Sequence, residues 1–192
     1  MRKLTVINHV TLDGVMQAPA RPDEDTRGGF SRGGWALSGN DEVMARFMGV
    51  GQGGPVAHVL GRRTYEGMFS YWPQHPDNPY SQALTKQQKY VASRTLTEPL
   101  PWQNSTLLGG DAARAVAELK EEPGPDLLVM GSGELIGSLR RLGLVDEYVL
   151  LIHPLILGSG QRLFPDGAPA ELRLTESVTT TTGVVIARYQ AR

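Results

Sequence analysis

Residues 126–142 read DLLVMGSGELIGSLRRL, and the reading of this stretch decides the fold class. Leu127-Leu128-Val129-Met130 is a short apolar run, the pattern of a strand buried on both faces. Gly131-Ser132-Gly133 breaks it, and a helix is expected from there to about Leu142. The same strand, loop and helix recur upstream. Residues 56–60 (VAHVL) form a buried strand that runs into Gly61-Arg62-Arg63-Thr64, with a helix expected from Thr64. Residues 105–108 (STLL) lead through Gly109-Gly110-Asp111 into an Ala-rich helix over 112–121, capped by Asp111 and stopped before Pro123. Residues 89–92 (KYVA) form another strand, ending in Ser93-Arg94-Thr95.

Outside this repeating core, residues 3–12 (KLTVINHVTL) read as a strand that stops at the turn pair Asp13-Gly14. Residues 17–40 are rich in Gly, Arg, Asp and Pro, a loop of a length that marks a functional or mobile segment. Asn40 or Asp41 caps a helix over 42–48. Residues 71–80 are a Pro-rich connection, after which Ser81 caps a short helix. Residues 146–157 form a strand broken by Pro154. The stretches 171–179 and 184–189, joined by a Thr-rich turn ending at Gly183, form an antiparallel hairpin. Strands alternating with helices give an α/β fold with a mostly parallel sheet and this hairpin at its C-terminal end, in a single domain over 1–192.

Composition narrows the function. Lys and Arg number 19 against 20 Asp and Glu. That balance lacks the basic excess a nucleic-acid binder needs to displace counterions from phosphates. With no cysteine, disulfides, thiolate nucleophiles, Fe–S clusters and Cys-ligated zinc are excluded. No run approaches the ~18 apolar residues of a membrane span, and the N-terminus lacks a signal-peptide pattern. A cytoplasmic location is therefore expected.

Three strand ends carry groups suited to anions. Arg62 and Arg63 beside a helix N-terminus oppose its dipole, a conflict that a bound phosphate removes; the alternative is solvent exposure or pairing with surface acids. Ser93-Arg94-Thr95 sets two hydroxyls around a guanidinium, suited to a second phosphate, with an ordinary polar turn as the alternative. Gly131-Ser132-Gly133 lets backbone approach a pyrophosphate, or is a plain tight turn. Together these loops fall at the carboxyl ends of strands, the edge where open α/β sheets bind ligands. His9, His58, His75 and His153 show no paired spacing, so each reads as a core or surface histidine and no metal site is expected. Asp13, at a strand end, and Asp41, near a helix start, are the candidate proton donors, against the alternatives of turn residue and helix cap. Trp35 and Trp72 are candidates to stack on a flat heterocycle, against ordinary packing.

In order along the chain, several motifs resemble the dihydrofolate reductase-like superfamily. They are Thr11-Leu12-Asp13-Gly14, Leu60-Gly61-Arg62-Arg63-Thr64-Tyr65-Glu66, Ser93-Arg94-Thr95-Leu96 and Gly131-Ser132-Gly133-Glu134-Leu135, then Leu144-Val145-Asp146-Glu147 and Pro154 with Leu157-Gly158-Ser159-Gly160. Within that superfamily they are similar to the reductase domain at the C-terminal end of the bifunctional riboflavin-biosynthesis deaminase–reductase. The resemblance implies a twisted, mostly parallel sheet flanked by helices on both faces, NADPH as hydride donor, and a homodimer. It implies that Gly61, Arg62, Arg63 and Thr64 meet the cofactor phosphates and that Ser93, Arg94 and Thr95 meet the adenosine 2′-phosphate. Gly131, Ser132, Gly133, Glu134 and Leu135 then line the pyrophosphate and nicotinamide side. The implied activity is reduction of a planar N-heterocycle of the 5-amino-6-(5-phosphoribosylamino)uracil type. Reduction of dihydrofolate or a pterin, or NADP binding without turnover, are the alternatives. The sequence departs from the riboflavin reductases in lacking the lysine upstream of Leu12-Asp13-Gly14, and in carrying Tyr65-Glu66-Gly67-Met68-Phe69-Ser70-Tyr71-Trp72-Pro73 where they have an Asp-Pro segment.

Overall fold

A computed structural model describes residues 1–48, 54–165 and 169–192. Eight strands hydrogen-bond in the order β4-β3-β2-β5-β1-β6-β8-β7. They are β1 (Leu4–Thr11), β2 (Val56–Gly61), β3 (Lys89–Ala92), β4 (Ser105–Leu108), β5 (Asp126–Met130), β6 (Glu147–His153), β7 (Leu172–Thr179) and β8 (Val185–Ala191). Among the described residues five α-helices accompany them: α1 (Glu42–Met48), α2 (Arg62–Tyr71), α3 (Pro79–Lys86), α4 (Ala112–Glu121) and α5 (Gly133–Arg141). This is the expected α/β class. β2 runs parallel to β3 and to β5, β3 runs parallel to β4, and β7 and β8 close the sheet as an antiparallel hairpin.

The chain divides into two compact units. Unit 1 comprises Met1–Val6 and Gly49–Asp146; unit 2 comprises Ile7–Met48 and Glu147–Arg192. In unit 1, β2 buries Ala57, His58, Val59 and Leu60 in succession, as a strand covered on both faces must. Leu60, Tyr65, Leu84, Val91 and Trp102 form its apolar cluster. α4 presents Ala113, Val116 and Leu119 inward, and its start is capped by the Asp111 carboxylate, which accepts from the Ala113 and Arg114 N–H groups. In unit 2, Met44 packs with Val149, Leu151, Val184 and Ile186.

Among the boundaries that differ from the sequence reading, those of α2, α3 and β6 have a local reason. α2 begins at Arg62, with extended Gly61 as its N-cap and no side-chain cap; Thr64 lies inside the first turn because its hydroxyl is committed elsewhere. α3 begins at Pro79 and is capped by Asn78, whose side chain accepts from the Tyr80 N–H. Ser81 sits one turn later and donates its hydroxyl to the Trp72 carbonyl at 2.5 Å. β6 stops at His153, since Pro154 has no N–H to continue the ladder. The 17–40 loop has a core of its own: Ala18, Phe30, Trp35 and Ala36 pack with Val15. Buried Gln17 ties it together, donating to the carbonyls of Asp25 (3.1 Å) and Arg27 (3.0 Å).

Candidate functional site

The parallel strands of unit 1 all end at one edge, and the glycine-bearing loops leave from that edge. β2 and β5 are neighbours, so the N-termini of α2 and α5 follow from adjacent strand ends. Ser132 joins the two. Its Oγ accepts the Gly61 N–H at 2.7 Å and lies 2.7 Å from the Thr64 hydroxyl. To reach them Ser132 adopts a left-handed conformation, φ 65° and ψ 55°, which costs a non-glycine residue about 1–2 kcal/mol. Gly61 is required opposite it, because a Cβ there would lie 2.8 Å from Ser132 Oγ. The first-turn N–H groups of α2 and α5 have no intrahelical acceptors and carry the positive end of each dipole.

Arg62 and Arg63 are in exposed ion pairs. Arg62 reaches Glu66 at 3.1 Å, and Arg63 reaches Glu134 at 3.5 Å between the first turns of the two helices. Ser93 forms a turn, its Oγ accepting from the N–H groups of Thr95 (3.1 Å) and Leu96 (3.0 Å). Arg94 is exposed and, among the described residues, has no ion-pair partner. It lines a cavity of about 410 Å³ with Gly110, Asp111, Ser138 and Arg141. Leu135 is 8 % exposed, one of the residues that α5 buries. Trp72 is half-buried and meets Tyr80 edge-on at 4.8 Å.

Unit 2 holds the other candidates. Both aspartates are engaged by the fold. The Asp13 carboxylate accepts from the Thr11 hydroxyl at 2.5 Å, the Leu157 N–H at 3.2 Å and the Gly158 N–H at 2.8 Å. These bonds, the Thr11 hydroxyl foremost and then the Gly158 and Leu157 N–H groups, hold its pKa down to about 2. Asp41 caps α1 through the Met44 N–H at 2.8 Å, and its second oxygen takes the Thr181 N–H and hydroxyl at 2.6 and 2.7 Å. The Met44 N–H first, then Thr181, keeps this carboxyl below its ordinary value. Trp35 is 9 % exposed and donates its indole N–H to the Gln17 carbonyl at 2.7 Å. Sequence spacing gave no sign of one pair that the strands bring together: His9 Nδ1 and His153 Nε2 lie 2.8 Å apart. Among the described residues no group of three or more His, Asp or Glu is placed to hold a metal ion. No helix among them is long and apolar enough to cross a membrane.

The family model of the RibD C-terminal domain matches residues 2–186. The chain belongs to the RibD C-terminal domain family. Membership supports a reductase-like role. Among curated proteins, the uncharacterized protein YyaP of Bacillus subtilis (strain 168) is 34% identical over 132 residues, covering 66% of this chain and 69% of that protein. The uncharacterized protein YwjB of the same organism is 30% identical over 108 residues, covering 55% and 56%. Among solved structures, a candidate riboflavin biosynthesis protein from Shewanella sp. PV-4 superposes with a TM-score of 0.66 at 22% identity, covering 100% of this chain and 99% of that one. A pyrimidine reductase-like protein from Corynebacterium diphtheriae gives 0.64 at 14% identity, covering 100% and 92%. These two likenesses share the fold.

Proposed function

We propose that this chain is an NADPH-dependent reductase of a planar N-heterocycle, of the 5-amino-6-(5-phosphoribosylamino)uracil type. The observation that carries the reading is the edge of unit 1, where two helix N-termini follow adjacent parallel strands and are joined by Ser132. The donor set fits a dinucleotide. The first-turn N–H groups of α2 and α5 hold the pyrophosphate, and Arg62 and Arg63 exchange their exposed ion pairs for phosphate oxygens at little cost. Arg94 meets the adenosine 2′-phosphate beside its cavity. NADPH, when bound, supplies a hydride.

The residues of the chain then position and neutralise. Hydride addition to a C=N carbon sends the π pair to nitrogen, which finishes as N–H. Asp13 and Asp41 were the expected donors of that proton. Their hydrogen bonds keep both ionised at neutral pH, so in this reading the proton comes from water while Asp13 shapes the β1 turn and Asp41 starts α1. The test is loss of NADPH absorbance with an aminouracil phosphoriboside, dihydrofolate and pterins offered in turn. Turnover of the first supports the proposal, and turnover of a folate or pterin alone moves the substrate class. Tight NADPH binding with turnover of none overturns the enzyme reading in favour of a non-catalytic NADP-binding protein.

A further inference from the structure

The cavity beside Arg94 has a second guanidinium in its wall, that of Arg141 on the last turn of α5. Every residue of that wall lies within unit 1. Other exposed arginines of the unit are answered by carboxylates: Arg62 by Glu66, Arg63 by Glu134 and Arg114 by Glu118. Among the described residues Arg94 and Arg141 have no such partner. For Arg141 the reason lies in the helix. One turn back, where an acid at i−4 would pair with it, stands Gly137, and at i−3 stands Ser138. The bare Gly137 leaves room for the guanidinium, whose Nη1 lies 3.6 Å from where a Gly137 Cβ would stand. Its Nη2 donates to Ser138 Oγ at 3.1 Å, and that hydroxyl donates in turn to the Glu134 carbonyl at 3.1 Å. The side chain is thus folded back along α5 and held by a neutral acceptor, which orients its fork and leaves its charge uncompensated.

The remaining wall suits an anion that carries a hydroxyl. Gly110, at φ 70°, has nothing within 4 Å of where its Cβ would stand, so the wall there is open backbone. Asp111 makes no ion pair with either arginine among the described residues. Its Oδ1 accepts from the Ala113 and Arg114 N–H groups, and its Oδ2 is left to accept from a ligand. Two guanidiniums in one wall repel each other, and a dianion bound by both converts that repulsion into charge-assisted contacts. A phosphomonoester, with a charge of about −1.5 to −2 at pH 7 and three acceptor oxygens, is such a dianion. A ribose hydroxyl beside it supplies the donor for Asp111. The cavity of about 410 Å³ falls in the range of small-molecule sites, roughly 300–1,000 Å³.

We propose that Arg141 is a second cation for the adenosine 2′-phosphate and a determinant of NADPH over NADH, with Ser138 as its positioning residue. The inference rests on the reductase reading for the identity of the dinucleotide, and its test separates the two. Adenosine 2′,5′-bisphosphate and 5′-AMP, which differ only in the 2′-phosphate, are titrated calorimetrically into the whole chain, with ribose 5-phosphate as a third probe. The bisphosphate is expected to bind more tightly than 5′-AMP. Arg141→Ala weakens it about ten- to a hundredfold, the loss of a charge-assisted contact, with 5′-AMP unchanged. Arg141→Lys restores the charge but not the fork, and so recovers part of the loss. Ser138→Ala weakens the bisphosphate less and adds nothing in the Arg141→Ala background. Arg141 is exposed, so these variants are read on folded protein. Equal weakening of both nucleotides, or failure of the bisphosphate to bind, overturns the proposal. An Arg141-dependent affinity for ribose 5-phosphate above that for the bisphosphate assigns the cavity to a substrate phosphate and overturns it as well. If Arg141→Ala leaves the bisphosphate unweakened while the wild-type chain consumes NADPH, the arginine inference falls and the reductase stands. If the Arg141-dependent preference is found and NADPH is never consumed, the site stands and the reductase reading falls.

Discussion

Replacing Ser132 by Ala removes the hydroxyl that joins the α2 and α5 starts and leaves the exposed Arg63–Glu134 ion pair in place, and the structure fixes the size of the effect. The Gly61 N–H loses its acceptor at 2.7 Å. Gly61 is half-buried, so water repairs only part of the loss, about 1–2 kcal/mol. The Thr64 hydroxyl loses its partner at 2.7 Å and can rotate, adding about 0.5–1 kcal/mol. Ser132→Ala should therefore destabilise by about 2 kcal/mol, because Ala inherits the strain at φ 65°. Ser132→Gly loses the same bonds but relieves a left-handed cost of about 1–2 kcal/mol, against a glycine entropy cost of about 0.5–1 kcal/mol. It should lie at or slightly above Ser132→Ala. Thr64→Val completes a double-mutant cycle in which the hydroxyl pair shows a coupling of at least about 0.5 kcal/mol. Urea unfolding followed by tryptophan fluorescence, with Trp72 and Trp102 in unit 1 and Trp35 in unit 2, reads each of these proteins and the double variant. NADPH affinity should fall in parallel. A Ser132→Ala protein with the wild-type midpoint and wild-type affinity would refute the joint as the feature that builds this edge.

Arg94→Ala should weaken NADPH by about 1.5–3 kcal/mol, the value of a charge-assisted contact, and leave NADH nearly unchanged; equal loss for both cofactors removes Arg94 from the discriminating role. Asp41→Asn should keep a near-normal reduction rate, whereas Asp41→Ala, which strips the α1 cap and the Thr181 bonds, should lower the denaturation midpoint. A rate loss of about 10²-fold or more in a stable Asp41→Asn protein would instead make Asp41 the acid. The His9 pKa is lowered from 6.5 to about 4 on folding, so the unfolded chain binds the proton more tightly. Its stabilising effect is complete above pH 6.5 and is lost as the pH falls to about 4, to the extent of about 3 kcal/mol. His9→Gln should flatten that window in a pH series of denaturant melts, and an unchanged profile would contradict the burial of the ring. β7 exposes Arg173–Ser177 on both of its faces, and a homodimer that covers them is expected; light scattering giving a monomer at all concentrations would exclude it.

Local pattern was enough for the fold. Short apolar runs such as 56–60 and 126–130 can satisfy burial on both faces only as inner parallel strands, and the glycines after them stop the ladder before each helix. The strand ends were legible for the same reason, because Gly61, Ser93 and Gly131 directly follow those runs or end them. Asp111 was readable as a cap because capping is decided within three residues. The roles of single polar groups were not local. Thr64 looked like the start of a helix in sequence, but the helix begins at Arg62 and the Thr64 hydroxyl goes to Ser132, 68 residues away. Asp13 and Asp41 looked free to act as acids until chain 144 or 140 residues later, Leu157 and Thr181, supplied their donors. His9 and His153, 144 residues apart, carry no spacing at all. Whether a side chain is free to do chemistry depends on every partner it meets, and the distant partners are chosen by strand pairing and loop packing, which only the tertiary structure decides.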